Sequence, residues 1–159
     1  MAYKRKTWAE KLDGPKNLPK VVKIEGKLTK KWGSGTVVIP KPREVDELMK
    51  KVPKGKVTTI NEIRAAVAKK HKATIGCPIT CGIFANIAAH AADEEEAKGK
   101  KMVTPYWRTL RREGELNEKY PGGMQNQASR LKTEGLEIEW NKNKTKAKVL
   151  DFEKCLFKF

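Results

Sequence analysis

Apolar residues Val45, Leu48, Met49 and Val52 recur at intervals of three and four, which predicts an amphipathic helix stopping at Pro53-Lys54-Gly55. Thr59, followed three residues later by Glu62, has the form of a capping box, and Ile60, Ile63 and Val67 form the inner face of a second helix running to about Lys70. Pro78 suits a first helical turn and opens a third helix, on which Ile79, Ile83 and Ile87 at spacing four predict the buried face as far as Ala92. Thr80, Asn86 and His90 then fall on its other face. Met124, Ala128 and Leu131 predict a fourth helix ending at Gly135, and Leu136, Ile138 and Trp140 alternate with polar residues as a strand does. The turn-prone stretch Asn141 to Asn143 and the run Lys144, Lys146, Lys148 complete a β-hairpin with lysines along one side.

The first 41 residues have a different texture. Trp8 and Trp32 sit in a lysine-rich leader with a turn at Gly33-Ser34-Gly35, a β-branched run from Thr36 to Ile39, and breaks at Pro40 and Pro42. The chain is therefore read as an N-terminal extension over 1–41, packing on the domain or on its ligand, and one α+β, mostly helical domain over 42–159. A length of 159 residues favours a single core.

Charge narrows the partners. Lys and Arg number 35 against 19 Asp and Glu, a net charge of +16 that attracts polyanions. Duplex DNA, RNA and anionic membrane all satisfy that field, and lysine-rich surfaces also serve solubility. Two consecutive helices joined by a short loop are compatible with a helix-turn-helix, which favours duplex DNA. Lys41, Lys50, Lys51, Lys54, Lys56, Arg64, Lys69 and Lys70 surround these helices, and Lys54, Lys56 and Arg64 are the expected phosphate contacts. The hairpin lysines fit either a basic wing tracking phosphates or a solvated strand face. No apolar run is long enough to span a membrane, and the N-terminus lacks the apolar centre of a signal peptide, so the expectation is a cytoplasmic, nucleoid-associated monomer.

Cys77, Cys81 and Cys155 are odd in number and are expected to be reduced thiols. Cys77 and Cys81 with His71 and His90 would satisfy a zinc count, but their spacing matches no common structural zinc module, and neither metal nor cofactor is expected.

Two segments resemble the DNA-binding domain of the O6-alkylguanine-DNA alkyltransferases and of their non-enzymatic relatives, the alkyltransferase-like proteins. Val52-Pro53-Lys54-Gly55-Lys56-Val57-Thr58-Thr59 is similar to the family's hydrophobic-Pro-x-Gly-x-Val-x-Thr lead into its helix-turn-helix. Pro105-Tyr106-Trp107-Arg108, then Tyr120-Pro121-Gly122-Gly123, then Glu134-Gly135 follow the order and spacing of the family's Pro-Cys-His-Arg motif, Tyr-x-Gly-Gly turn and closing Glu-Gly. The likeness covers roughly residues 42 to 138 and implies a winged helix-turn-helix.

The departures change the implied chemistry. Tyr106 stands where the family has its cysteine and Trp107 where it has its histidine; Arg108 carries over. A phenol of ordinary pKa about 10 with no neighbouring base is a poor nucleophile, so alkyl transfer is not expected. The resemblance places the family's phosphate-rotating tyrosine at Ile60 and its intercalating arginine at or near Cys81, leaving Asn86 or His90 as substitutes in the base stack. It implies a DNA face and base pocket drawn from Thr59, Thr80, Cys81, Asn86, Tyr106, Trp107, Arg108, Tyr120, Gly122 and Gly123. The expected function is non-enzymatic binding of duplex DNA at O6-alkylguanine, marking it for nucleotide excision repair proteins. The alternative is a regulatory or architectural DNA-binding protein on the same scaffold.

Overall fold

The computed structural model describes residues 5–159; the first four residues of the basic leader lie outside that range. In chain order the elements are α1 (Trp8–Asp13), β1 (Lys20–Lys23), α2 (Leu28–Trp32), β2 (Thr36–Ile39), α3 (Pro42–Lys50), β3 (Thr58–Thr59), α4 (Ile60–Lys70), β4 (Ile75–Gly76), α5 (Pro78–Ala97), β5 (Thr109–Leu110), α6 (Gly123–Thr133), β6 (Ile138–Trp140) and β7 (Ala147–Val149). This is a mixed α+β arrangement in which helices carry most of the ordered backbone. No helix is long and apolar enough to cross a membrane among the described residues.

Local signals explain where the helices begin. Thr59 is extended and its hydroxyl accepts from the Glu62 amide, while Pro42 and Pro78 occupy first turns where no amide hydrogen is needed. Thr7, which the periodicity did not mark, caps α1 with a full box: its hydroxyl accepts from the Glu10 amide and Glu10 accepts from the Thr7 amide.

The main core collects Leu12, Leu18, Val45, Met49, Ile63, Phe84, Tyr106 and Tyr120 around the alanines of α5. A second cluster joins Val57, Leu110, Leu116, Leu131 and Val149, and Trp107 packs against both. The leader is built into this body. Leu12 and Leu18 lie in the main core, and β2 pairs antiparallel with β1 on one side and parallel with β4 on the other. Trp8 stacks on His90 of α5 at 4.4 Å with a 20° interplanar angle, and its amide donates to Glu94 at 3.0 Å.

One face assignment is reversed. On α5 it is Cys81, Phe84, Ala85, Ala88, Ala89 and Ala92 that are buried, whereas Ile79 and Ile83 are 58% and 51% exposed and Ile87 is half-buried. The reason is packing distance: α5 lies against α1, α3 and α4, and small side chains let it approach them as branched ones would not. The acidic run Asp93 to Glu96 at the end of α5 is partly engaged in packing, since Glu94 accepts from the Trp8 amide and Glu96 pairs with Arg130 at 2.8 Å.

Candidate nucleic-acid interface

The motif segments converge on one carboxylate. Tyr106–Arg108 forms a 3-10 turn ahead of β5, and β5 runs parallel to β3 with Thr58 opposite Thr109, which brings the Pro53-Lys54-Gly55 loop beside the turn. Glu134, at the end of α6, accepts the indole N–H of Trp107 at 3.1 Å and a forked pair from Arg108, Nε at 2.9 Å and the terminal nitrogen at 2.6 Å. The other terminal nitrogen of Arg108 donates to the Val52 carbonyl at 2.8 Å. Burial alone would raise the Glu134 carboxyl; the hydrogen bonds and charge of Arg108, with Trp107 and Gly55, outweigh it and hold the group below its ordinary value.

This network redefines two expected site residues. Arg108 is spent on Glu134 and Val52, with its side chain only 15% exposed, so it clamps α6 to the end of α3 and does not offer a charge to DNA. Trp107 donates its indole N–H to Glu134, and the Arg130 guanidinium lies 4.5 Å from its ring centroid.

Tyr106 is fully buried. Its ring meets Trp107 and Tyr120 edge-on at 5.3 and 5.7 Å, and its hydroxyl accepts from Asn126 Nδ2 at 3.0 Å. Asn126 Nδ2 also donates to the Pro121 carbonyl at 2.9 Å, locking the Tyr-Pro-Gly-Gly turn against the phenol. Gly122 has φ +76°, and a Cβ there would sit 2.5 Å from the Asn126 Cβ, so the turn needs glycine at this position. Burial raises the Tyr106 phenol above its ordinary value against the opposing pull of Arg130 and Asn126; the Tyr120 phenol, also buried, is raised too. A cleft of about 790 Å³ opens beside the motif, but Trp107, Arg108, Arg130, Thr104, Lys101 and Glu96 line it, and Tyr106, Tyr120 and Gly122 do not. The predicted base pocket is thus filled by its own aromatic residues.

The remaining expected contacts divide between buried and available groups. Cys81 is fully buried and cannot stand at the DNA face; around it Ile79 and Ile83 are exposed and Thr80 and Gly82 half-buried. Burial, reinforced by Cys77, pushes the Cys81 thiol up to about 12, and burial raises Cys155 as well, so neither is a thiolate at neutral pH. Thr59 is buried as a helix cap. Thr80 and Asn86 each hold a buried oxygen without a hydrogen-bond partner. Arg64 donates to the Gly76 carbonyl at 2.9 Å and to Asn61 at 3.3 Å, which fixes the lead into α5 and leaves the guanidinium half-exposed. Lys54, Lys56 and Lys69 are exposed, whereas Lys50 pairs with Asp46 at 3.3 Å and Lys70 with Glu44 at 2.9 Å. His71 bonds the same Glu44 at 2.7 Å and His90 bonds the Lys119 carbonyl at 2.9 Å; no group of three or more His, Cys, Asp or Glu gathers in metal-binding geometry among the described residues.

No protein-family model matches the chain, and no curated protein matches it. Two solved structures do: S. pombe Atl1 in complex with damaged DNA containing O6-carboxymethylguanine, at 22% identity, and S. pombe ATL in complex with DNA, at 23%. Each match covers 74% of this chain and 94% of the other, with a TM-score of 0.53. This chain shares their fold. Motif resemblance, from sequence spacing, and structural likeness, from backbone shape, thus agree on the fold.

Several residues of the site were not singled out by sequence. Asn126 and Gln127 are ordinary helix residues in a string, yet Asn126 holds Tyr106, and Gln127 accepts the Asn117 amide at 2.7 Å while donating to the Trp107 carbonyl at 3.1 Å. Their position four and five residues after Gly122 was the available signal, because the first turn after that tight turn must face the motif.

Proposed function

We propose that this protein binds double-stranded DNA without covalent chemistry, using α4 and α5 as a helix-turn-helix and the β6–β7 hairpin as a basic wing, and that it reads O6-alkylguanine to mark it for excision repair. The observation that carries DNA binding is the net charge of +16, together with a carboxylate-free stretch between Glu62 of α4 and Asp93 near the end of α5. From Ile63 through Ala92 no Asp or Glu occurs, whereas Arg64, Lys69, Lys70 and Lys72 do, and the fold is shared with proteins crystallised on DNA. Lys144, Lys146 and Lys148 are exposed along the hairpin and supply further phosphate contacts.

The absence of chemistry follows from the motif. The group at the nucleophile position is a buried, neutral phenol, and the imidazole that would activate it is replaced by an indole already bonded to Glu134.

A second reading, lesion-independent DNA binding, is favoured by the full burial of Tyr106. Admitting an extruded guanine beside Gly122 requires that ring to leave Asn126 and Tyr120. Fluorescence anisotropy on matched duplexes, one carrying a single O6-methylguanine, across a salt series and with intact mass before and after, tests both. Tighter binding to the modified duplex with unchanged mass supports lesion reading. Equal, steeply salt-dependent affinities support the second, and a mass gain of one methyl overturns the non-enzymatic assignment.

A further inference from the structure

The sheet that joins the leader to the helices ends on an open edge. Its strand order is β1-β2-β4, so β1 has a strand neighbour on one side only, and all four of its residues are exposed. The direction of its main-chain groups follows from the ladder. The Ile24 amide donates to the Gly35 carbonyl at 2.9 Å, and bonded pairs alternate along an antiparallel ladder, so Val22 and Lys20 are the β1 residues bonded to β2. On the other side of β2 the Thr36 and Val38 carbonyls accept from the Thr74 and Cys77 amides, which fits the same alternation. The N–H and C=O groups of Val21 and Lys23 therefore point out of the sheet and have no partner among the described residues.

The side chains of this edge carry a pattern. Val21 and Val22 lie on opposite faces, 45% and 40% exposed, between Lys20 and Lys23. Their partners across the ladder, Val38 and Val37, are buried, so each valine continues an apolar surface outward and stops at water. One added strand would cover both. Lysines on a short edge strand discourage further pairing, and here they exclude a second copy of the chain: antiparallel pairing of β1 with itself sets Lys20 opposite Lys23 at both ends. A strand with acidic residues at those two places meets the opposite condition.

Charge around the edge selects the same visitor. Gly14 through Gly35 holds Lys16, Lys20, Lys23, Lys27, Lys30 and Lys31, all exposed, against Glu25 as its single carboxylate. Phosphate would satisfy these lysines and the outward amides, but neither the outward carbonyls nor the two valines. An acidic, partly apolar peptide strand satisfies all four.

We propose that β1 is a docking edge for an extended segment of another protein, in which two apolar residues are flanked by acidic ones, added antiparallel to β1 as a fourth strand of the sheet. The docking edge stands apart from the DNA-binding reading and needs none of the groups on α4 and α5.

The test uses the full chain and a fluorescein-labelled peptide centred on Glu-Val-Val-Glu, with a Lys-Val-Val-Lys peptide as its control. Anisotropy should show the acidic peptide binding at least about tenfold tighter. Hydrogen exchange followed by NMR should show the Val21 and Lys23 amides exchanging freely in the protein alone and slowed at least about tenfold at saturation. Val21→Pro removes an outward amide and no bond to β2, so it keeps its circular dichroism and loses most of the binding. Lys20→Glu/Lys23→Glu reverses the peptide preference, and carries the same decision should the proline variant unfold. Absence of binding by the acidic peptide overturns the proposal, as does an unchanged preference in the double glutamate variant. Binding that leaves the Val21 and Lys23 amides unprotected is attraction by charge alone and overturns it too. Protection of those amides without peptide, with a sedimentation shift to a dimer, assigns the edge to a second copy; protection by duplex DNA and not by peptide assigns it to phosphate. Either result overturns the docking edge and leaves the DNA-binding reading standing.

Discussion

The Tyr106–Arg108 turn and the outward face of α5 are built from residues of opposite availability. In the turn every polar group has a partner: Tyr106 has Asn126, Trp107 has Glu134, and Arg108 has Glu134 and Val52. On the helix face, Ile79 and Ile83 have water and Gly82 has open space. The turn is where motif resemblance concentrates, and its residues hold three segments of chain together. The helix face carries no motif and is the part left free to meet a ligand. Likeness in sequence thus tracks the scaffold here, while the surface that distinguishes this chain lies one helix away.

The comparison can be broken most forcefully at the turn. Tyr106→Ala empties a fully buried aromatic site and is expected to cost about 3–5 kcal/mol in urea denaturation. If the folded variant instead gains affinity for an O6-methylguanine duplex over plain duplex, the phenol is a plug in a usable pocket and not a permanent part of the core. Glu134→Gln leaves the half-buried Arg108 guanidinium without its counter-charge and should cost about 2–4 kcal/mol, with DNA affinity per folded molecule unchanged. The Glu134 carboxyl is lowered in the folded state, as is that of Glu44. Their contribution is complete above the ordinary value of 4.5 and is lost as pH falls through the lowered folded values, so the wild type should lose stability in acid more steeply than Glu134→Gln.

At the other region the effects are on binding. Lys54→Ala/Lys56→Ala should reduce the slope of log affinity against log salt by nearly two units if both side chains meet phosphate, measured by anisotropy over a salt series. The smallest expected change has opposite signs in two assays. Gly82→Ala should raise stability by up to about 1 kcal/mol by thermal unfolding, while weakening DNA binding. A variant that is stabilised and binds equally well would make Gly82 a neutral position.

Much of this scaffold was legible in the sequence, because its signals are local. Thr59 and Pro78 announce helix starts by what their own backbone or side chain does, and the alternation after Leu136 marks β6. The face of α5 was not legible by the same means. Two stripes run along it, the isoleucines and the small residues Cys81, Ala85, Ala88 and Ala92, and only the closeness of α1, α3 and α4 decides that the smaller one is buried. Strand β4 has two residues and exists through parallel pairing with β2, a contact that no local pattern encodes. The site divided along the same line: spacing located Tyr106, Trp107 and Glu134, but their bonding depends on Asn126, which carries no motif.

The stack of Trp8 on His90, with Leu12 and Leu18 in the main core, bears on how freely the amino-terminal segment could be exchanged or shed. A chain trimmed to begin at residue 42 would leave β4 without β2, its strand neighbour, and would bare the ring of His90 and the alanine ridge beneath it. Proteolysis of the native protein should accordingly spare the stretch from Trp8 to Ile39. Any shuffling of this module between genes would have to carry its basic prelude along, since the two have become one inheritance.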